Sequence, residues 1–442
     1  MKNQLLSILS FCCISLASFA QHPIVWTKYT ADPAPYVHGD TVYLYTTHDA
    51  DDGENFKMYD WLLYTSTDMV NWTDHGSVAS LGDFEWYKNN NGAWAEQVIE
   101  RNGKWYMYCP IHGNGISVLV ADNPYGPFKD PLGKPLVWQR EHWYDIDPTV
   151  WIDDDGQAYM YWGNPNLYMI KLNEDMISTS GEIVQHPHIE DYQEGPWVYK
   201  HNDKYYCAFA STCCPEGIGY AMSDKITGPW KYKGHVMPHT HLSRGNHPGI
   251  IDYKGKSYVF GLNYDLWASQ LEYNGHPYRH AERRSVSCQE MKYNADGTIV
   301  EIPYWSKEGV EQIGSFDPFR RVEAETMAYA RGLKTRSIGY NDLVVTDIDN
   351  NDCMMVKGVD FGKTGAKQFV AAVQDQKPGT NTIIQIRIDG MEGPVIGTVE
   401  IGAEGLAKCN LKKVTGKHDL WFRFFGDVQK NLFEFNWWEM KK

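Results

Sequence analysis

The feature that most constrains the fold is a β-hairpin pattern that recurs five times along the chain. Each copy is a turn residue followed by a tyrosine-rich strand, and the turns begin at Gly39, Gly103, Gly156, Asp203 and Gly255. The intervals between them are 64, 53, 47 and 52 residues. Several short strands about every fifty residues predict an all-β chain whose first part is a five-bladed β-propeller. A β-sandwich also has many short strands, but not at this period.

The repeat also indicates different roles for the aromatic residues, which include 17 Trp, 29 Tyr and 16 Phe. Most tyrosines fall in the repeated strands that follow the turns, so we predict that they form the cores of the blades. Tryptophan is then the better candidate for stacking on a sugar, and Trp94 is the first of these candidates.

From about Ile302 to Phe319 the repeat ends in a proline-containing connection, and beyond it the pattern changes. Residues 320–442 contain strand-like runs and Asx-Gly turns that predict a separate β-sandwich of the jelly-roll kind. Charge divides at the same point, with a net charge of -18 in residues 21–319 and +2 in residues 320–442. We therefore predict a propeller over residues 21–310, a linker over 311–319 and a sandwich over 320–442.

Residues 1–20 have the pattern of a secretory signal peptide. Lys2 precedes a short apolar stretch, and small residues stand three and one before a cut after Ala20. The prediction is a secreted or periplasmic protein. Lipid anchoring is disfavoured because the large Phe11 precedes Cys12. After residue 20 no apolar run is long enough to predict a membrane span.

Charge and cysteine content exclude other classes. The net charge of -15 argues against a surface that follows nucleic-acid phosphates. The seven cysteines after residue 20 have irregular spacing and no Cys-x-x-Cys pair, so a zinc site of that type is not predicted. Most should be buried as small hydrophobic residues, and only Cys213 and Cys214 suggest a disulfide, between neighbours.

Acidic residues recur at the starts of the inner strands of the predicted blades. Counting back seven to nine residues from the turn gives Asp32 in the first blade, Asp147 in the third, Glu194 in the fourth and His247 in the fifth. In a propeller these positions converge on one mouth of the central channel. Each could simply cap a loop, but three carboxylates directed at one point repel each other and are not favoured by stability. Glycoside hydrolysis needs such a set, since one acid protonates the leaving oxygen and another activates water.

The five-blade pattern and these acids resemble glycoside hydrolase family 43, over roughly residues 23–310. The resemblance implies that Asp32, in an Ala-Asp-Pro motif, is the general base, and that Glu194, in a Glu-Gly-Pro motif, is the general acid. Asp147, in an Asp-Pro-Thr-Val motif, would orient the acid and tune its pKa. Members invert the anomeric configuration, which fits an acid and a base about 6.5–9.5 Å apart.

The same resemblance implies further site residues. His247 matches a histidine that helps to hold a hydrated calcium ion near the axis, although it could equally be a core histidine. His48, Asp49, Trp94 and Arg284 match positions that contact the sugar or reach the site, and a structural role is as good an explanation for each. Glu96 stands where many relatives have proline, so its role is open.

The C-terminal part resembles a family 6 carbohydrate-binding module. The resemblance implies a structural calcium held by Glu323, Glu325 and the residue at 436, where Asn436 supplies an amide oxygen in place of a charge. Tyr340 and Asn431 match two of the three residues that bind sugar in such modules. A second aromatic ring is missing, so the module could bind sugar or only brace the enzyme.

These expectations predict an inverting exo-glycosidase that acts on arabinan, arabinoxylan or xylan fragments. The implied activities are α-L-arabinofuranosidase and β-D-xylosidase, with calcium as the one implied cofactor. An endo-acting arabinanase or xylanase of the same fold is an alternative. A glycan-binding propeller without catalysis is another, and the full set of three acids argues against it.

Overall fold

The structure is a computed structural model that describes residues 22–140, 144–242, 244–274, 282–376, 381–402, 405–428 and 430–442. The regular secondary structure of the described chain is almost entirely β-strand. Its N-terminal part contains eighteen strands: β1 (Tyr29–His38), β2 (Thr41–Asp49), β3 (Met58–Ser66), β4 (Trp72–Ser80), β5 (Gln97–Arg101), β6 (Lys104–Pro110), β7 (Ile116–Ala121), β8 (Thr149–Ile152), β9 (Ala158–Trp162), β10 (Tyr168–Leu172), β11 (Thr179–Gln185), β12 (Tyr192–His201), β13 (Lys204–Ser211), β14 (Glu216–Ser223), β15 (Lys231–Thr240), β16 (Gly249–Tyr253), β17 (Lys256–Asn263) and β18 (Ser285–Met291).

These strands form five antiparallel sheets in chain order: β1–β4, β5–β7, β8–β11, β12–β15 and β16–β18. The five hairpins predicted from the repeat are all present, as the first two strands of each sheet. The first strands contact one another in a closed cycle, β1 to β5, β8, β12, β16 and back to β1. All starts of first strands therefore face a common centre.

The repeated tyrosines lie in the second strand of each sheet and are buried, as predicted; they are Tyr45, Tyr108, Tyr161, Tyr206 and Tyr258. The repeat gave no indication of two short helices. A 3₁₀ helix spans Leu81–Asp83, and an α-helix, α1 (Asp265–Asn274), lies between β17 and β18. Among the described residues, no helix is both long and apolar enough to cross a membrane.

The C-terminal part contains twelve strands: β19 (Val322–Glu323), β20 (Thr326–Met327), β21 (Tyr329–Arg331), β22 (Lys334–Gly339), β23 (Asp342–Thr346), β24 (Cys353–Asp360), β25 (Gln368–Gln374), β26 (Thr382–Ile388), β27 (Val395–Ile401), β28 (Gly405–Asn410), β29 (Lys417–Phe425) and β30 (Glu434–Lys441). One sheet has the order β22-β23-β30-β25-β28, with β19 on β30, and another has the order β21-β24-β29-β26-β27. Trp438 of the first sheet contacts Phe422 of the second, with ring centroids 5.4 Å apart. A shared hydrophobic core therefore lies between the two sheets.

The two parts share a junction of backbone pairing and buried side chains. Strand β20 pairs with β4 and so extends the first sheet of the N-terminal part. The Asn71 side chain donates to the Lys357 carbonyl at 3.0 Å and accepts from the Lys357 amide at 2.8 Å. Trp26 contacts Tyr329, with ring centroids 4.5 Å apart. Buried residues of both parts belong to the same hydrophobic clusters.

Candidate active site

A cavity of about 260 Å³ lies where the first strands of the five sheets begin. The first strand of each sheet, or the segment just before it, contributes to the lining, with Asp32, Trp94, Asp147, Glu194 and His247. The three predicted acids and the predicted histidine are therefore brought together, although they are spread over more than two hundred residues of sequence.

Asp32 and Asp147 occupy equivalent, unusual backbone positions. Their φ angles are +49° and +57°, in the left-handed region of backbone conformation that residues other than glycine rarely adopt. Each is followed by proline, and Asp32 lies at a register shift in the pairing of β1 with β2. Local irregularity of this kind turns a side chain out of the regular strand pattern. Here it places both carboxylates on the cavity wall.

Arg284 forms an ion pair with Asp32 and a second ion pair with Asp49. Its Nη1 donates to Asp32 Oδ1 at 3.1 Å, and its Nε and Nη2 donate to the two Asp49 oxygens at 2.9 Å each. Thr47 donates to the other Asp32 oxygen at 2.9 Å. All three charged groups are at most 5% exposed. Asp32 is therefore fixed by a buried, two-sided ion pair in which Asp49 anchors the guanidinium.

Glu194 lies in a bulged part of β12, with a register shift on each side of it. The Asn164 amide donates to its Oε2. The next residue, Gly195, has φ +58°, and a Cβ there would lie 2.6 Å from the His247 ring, so only glycine fits. The Glu194 side chain is 21% exposed, whereas those of Asp32 and Asp147 are 4% exposed. It is thus the most accessible of the three acids.

His247 lies between the three carboxylates. Its Nδ1 is 3.4 Å from Asp32 Oδ1, and its Nε2 is 3.6 Å from Glu194 Oε1 and 3.7 Å from Asp147 Oδ2. Burial lowers the pKa of this imidazole, but the charges of Asp147, Asp32 and Glu194 outweigh it and raise the pKa to about 10. The ring is therefore a cation at neutral pH.

Three buried carboxyl groups in the region of this cation have raised pKa values. Burial raises the pKa of Asp147 to about 7, with contributions from Glu194 and Asp32 and opposition from His247. Burial also raises the pKa of Glu216 to about 8, and that of Glu96 well above its usual range. At neutral pH the site can thus store protons close to Glu194 without accumulating five negative charges.

Several lining residues were not predicted from the sequence, among them Phe56, Asn164, Glu216 and Arg244. Asn164 follows the second strand of its sheet, much as His48 and Asp49 end β2, so that position was a usable signal. The ring of Phe56 lies under two guanidinium groups, those of Arg284 at 5.1 Å and Arg244 at 5.6 Å. The contacts of Phe56 with these two arginines join loops that are far apart in sequence, so no local sequence pattern indicates them.

The softer sequence predictions have different locations. Trp94 and Arg284 line the cavity, whereas the described lining does not include His48 or Asp49. His48 Nδ1 lies 2.8 Å from Asp60 Oδ1. Cys213 also lines the cavity and is joined to Cys214 by a disulfide, as the sequence suggested.

In the C-terminal part, the predicted calcium ligands are close to one another. Arg321 donates to both oxygens of Glu323, at 2.8 and 2.9 Å, and to Asn436 Oδ1 at 3.4 Å. Glu325 Oε2 is buried without a hydrogen-bond partner. Burial and the charge of Glu323 raise the pKa of Glu325 to about 9.

The predicted sugar-binding residues of this part lie on different loops. Tyr340 is 66% exposed, and its hydroxyl donates to the Gly126 carbonyl of the N-terminal part. The Asn431 amide donates to Asp349 Oδ1 at 2.9 Å. Both residues are exposed at the surface.

Two family models match the chain. The model of glycosyl hydrolases family 43 matches residues 20–299, and that of the family 6 carbohydrate-binding module matches residues 323–442. The boundary between the two matches falls where the repeat ends.

Characterised relatives match nearly the whole chain. An arabinoxylan arabinofuranohydrolase from Paenibacillus polymyxa is 31% identical over 95% of this chain and 74% of its own length. One from Bacillus subtilis is 30% identical over 95% of this chain and 92% of its own length. The crystal structure of a family 43 arabinoxylan arabinofuranohydrolase from Bacillus subtilis, in complex with cellotetraose, superimposes with a TM-score of 0.83 at 29% identity. It covers 96% of this chain and 98% of that one.

The Asp49–Arg284–Asp32 arrangement makes a testable prediction. Asp49→Asn leaves a buried guanidinium half-paired, so we expect the free energy of unfolding to fall by roughly 3 kcal/mol. We also expect kcat to fall about 100-fold, because Asp32 loses its fixed position. Denaturant unfolding and turnover of an aryl glycoside measure the two effects.

Asp60→Asn is the matched control, since it removes an aspartate from the partly exposed pair with His48 and should leave both quantities nearly unchanged. Equal kinetics in Asp49→Asn and Asp60→Asn would contradict a positioning role for Asp49.

Proposed function

The chain belongs to glycosyl hydrolase family 43 and carries a family 6 carbohydrate-binding module, and on this premise we propose that it removes terminal pentose residues from plant polysaccharide fragments. The proposed activities are α-L-arabinofuranosidase, β-D-xylosidase or both, with inversion at the anomeric carbon. The observation that carries the proposal is the convergence of Asp32, Asp147 and Glu194 in one small cavity.

We also infer the architecture and location that belong to this function. The closed cycle of first strands supports a five-bladed propeller over residues 21–310. The shared core between the two C-terminal sheets supports a sandwich over residues 320–442, with a linker over 311–319. A signal peptide over residues 1–20, which lie outside the described residues, would direct the protein to the periplasm or the exterior.

The geometry supports the division of roles among the three acids. Glu194 is the most exposed and can reach a leaving oxygen at the cavity mouth, as a general acid must. Asp32 is fixed by Arg284 and Thr47 on the opposite side of His247 and can take a proton from an attacking water. One imidazole ring and two contacts of 3.4 and 3.6 Å separate the two. Such a separation supports an inverting pair, in which the two carboxyl groups are about 6.5–9.5 Å apart.

Asp147 supplies the proton reservoir for the acid. Its oxygen, an oxygen of Glu194 and a nitrogen of His247 all lie within 4.8 Å of one another. Because burial raises the pKa of Asp147 to about 7, this carboxyl group can keep a proton close to Glu194 near neutral pH. The carboxylates also stabilise the positive charge that develops on the sugar ring in the transition state.

The size of the cavity favours exo action. At about 260 Å³ it lies below the range of roughly 300–1,000 Å³ typical of sites for drug-sized ligands, which suits a single sugar unit. An endo-acting enzyme needs an open groove instead. A binding propeller without catalysis has no use for buried acids that repel one another.

Variants of the two catalytic acids test this function. Glu194→Ala should lower kcat/KM on arabinoxylan by about 10²–10⁴-fold but affect 4-nitrophenyl arabinofuranoside far less, because nitrophenolate leaves without protonation. Asp32→Asn should abolish hydrolysis of both. Glu182→Ala, which replaces an exposed glutamate, is the control and should behave as the wild type.

The products of the wild-type enzyme complete the test. We expect free pentose from arabinoxylan or xylo-oligosaccharides, and proton NMR of the first product should show the inverted anomer. Oligosaccharide products would favour the endo alternative. A retained anomer, or equal losses on both substrates in Glu194→Ala, would contradict the assigned mechanism.

Calcium fits the two implied positions differently. One ligand atom each of Asp147, Glu194 and His247 lies within 4.8 Å of the others, but neighbouring carboxylates raise the pKa of the His247 ring to about 10, so a cation bound there would have to displace a proton. We therefore assign no catalytic step to an axial calcium. In the module, the unpartnered Glu325 Oε2 lies near Glu323 and Asn436 and offers oxygen ligands of the kind that calcium prefers. We propose that calcium binds there and displaces Arg321.

The module site predicts a pH dependence of stability. Without calcium, Glu325 titrates at about 9 in the folded chain and at about 4.3 when unfolded. Between these values the folded state binds more protons, so stability should fall as pH rises, by up to about 1.4 kcal/mol per pH unit. In calorimetry between pH 5 and 8, chelated Glu325→Gln should lose less stability than the chelated wild type.

Added calcium should raise the melting temperature of the wild type but not that of Glu325→Gln. Glu392→Gln, which alters an exposed glutamate paired with Arg423, should respond as the wild type does. A calcium response that persists in Glu325→Gln would place the ion elsewhere.

A further inference from the structure

A cluster of metal-ligating side chains lies on the fourth sheet, beside the cavity. Asp191 immediately precedes β12, and His235 and His239 lie on β15. The Nε2 atom of each imidazole is 2.9 Å from Asp191 Oδ2, and the three ligand atoms lie within 4.8 Å of one another. The side chains are 15%, 25% and 31% exposed, so a small ion can reach them from solvent.

The contacts of His239 leave its Nε2 atom free to bind a metal ion. His239 Nδ1 is 3.0 Å from the Pro215 carbonyl oxygen, which only accepts, so this nitrogen must carry a hydrogen. In a neutral ring, Nε2 then directs a lone pair at the Asp191 carboxylate, and the two repel. A metal ion bound between the two atoms would remove this repulsion.

The surroundings match those of a metal site. A histidine that binds a metal through one nitrogen usually donates the other N–H to a carbonyl or carboxylate, as His239 does to Pro215. The second imidazole converges on the same carboxylate oxygen, and the Tyr232 hydroxyl lies 3.2 Å from His235 Nε2. Two nitrogens and one carboxylate suit zinc and similar ions, whereas calcium and magnesium prefer oxygen alone.

We propose that Asp191, His235 and His239 bind a divalent transition-metal ion of the zinc type. Water or the Tyr232 hydroxyl completes the four ligands. At metal–ligand distances of about 2.0 Å, tetrahedral ligands stand about 3.3 Å apart. The two nitrogen–oxygen separations of 2.9 Å therefore need to open by only a few tenths of an ångström, and the two nitrogens already lie within 4.8 Å of each other.

The ion connects three segments that shape the cavity. Asp191 precedes Glu194 by three residues, and its carbonyl and Oδ1 accept from the Thr212 amide at 3.0 and 3.2 Å. His239 holds Pro215, just after the disulfide whose Cys213 lines the cavity. Metal binding would thus fix the start of β12 and the loop before β14 to β15. Its role is structural support of the cavity wall.

Metal titration of the chelator-treated full-length protein, prepared without a histidine tag, tests the proposal. Cobalt should give the intense visible band of four-coordinate Co²⁺, and zinc should displace it. Zinc should also raise the melting temperature. His235→Gln and His239→Gln should each lose the band and one equivalent of bound zinc.

Two control variants locate the ion. His188→Gln removes an exposed histidine three residues before Asp191 and should retain the band. Glu194→Gln should also retain it, which separates this cluster from the Asp147–Glu194–His247 group. Absence of the band in the wild type overturns the proposal even if a variant fails to fold. Loss of the band in Glu194→Gln but not in His239→Gln would also overturn it. A melting temperature that rises at lower pH but does not respond to zinc would overturn it as well.

Discussion

The catalytic geometry depends on the buried ion pairs that the guanidinium of Arg284 forms with Asp32 and Asp49. The Arg284 carbonyl accepts from the Thr30 amide at 3.0 Å, which joins the last sheet to the first strand. Its side chain bonds to Asp32 and Asp49, 252 and 235 residues away in sequence. The closure of the five sheets and the position of the proposed base are therefore set by the same residue, and neither is fixed until the last sheet has formed.

Much of the fold and the core of the site could be predicted because they rest on local patterns. Hairpin turns and buried tyrosines repeat with the sheets, and Asp32, Asp147 and Glu194 stand at matching strand starts. The pairing of Asp49 with Arg284, and the positions of Glu216 and Arg244 on the cavity wall, could not be predicted. Their contacts join elements far apart in sequence, and side-chain direction in loops depends on how the sheets close. Asn164 is intermediate, because it follows the second strand of its sheet, a position that repeats along the sequence, but the repeat alone does not show that its side chain reaches the cavity.

The acidic composition of the N-terminal part overstates the negative charge within the site. Burial raises the pKa values of Asp147, Glu96 and Glu216, so protonation removes charges that the formal count includes. His247 and Arg284 are cations in the same region. The site is better described as a nearly balanced set of carboxyl groups, cations and mobile protons, and such a set can deliver a proton at one side of a sugar while accepting one at the other.

The junction between the two parts limits how this chain can be recombined with others. Strand β20 belongs by sequence to the C-terminal part but completes a sheet of the N-terminal part, and both parts share clusters of buried side chains. Removing residues 320–442 would expose that apolar surface and leave β4 as an open edge. A gene that exchanged this module for an unrelated one would have to replace the matching surface as well, so the two parts are expected to be inherited together and to diverge in step.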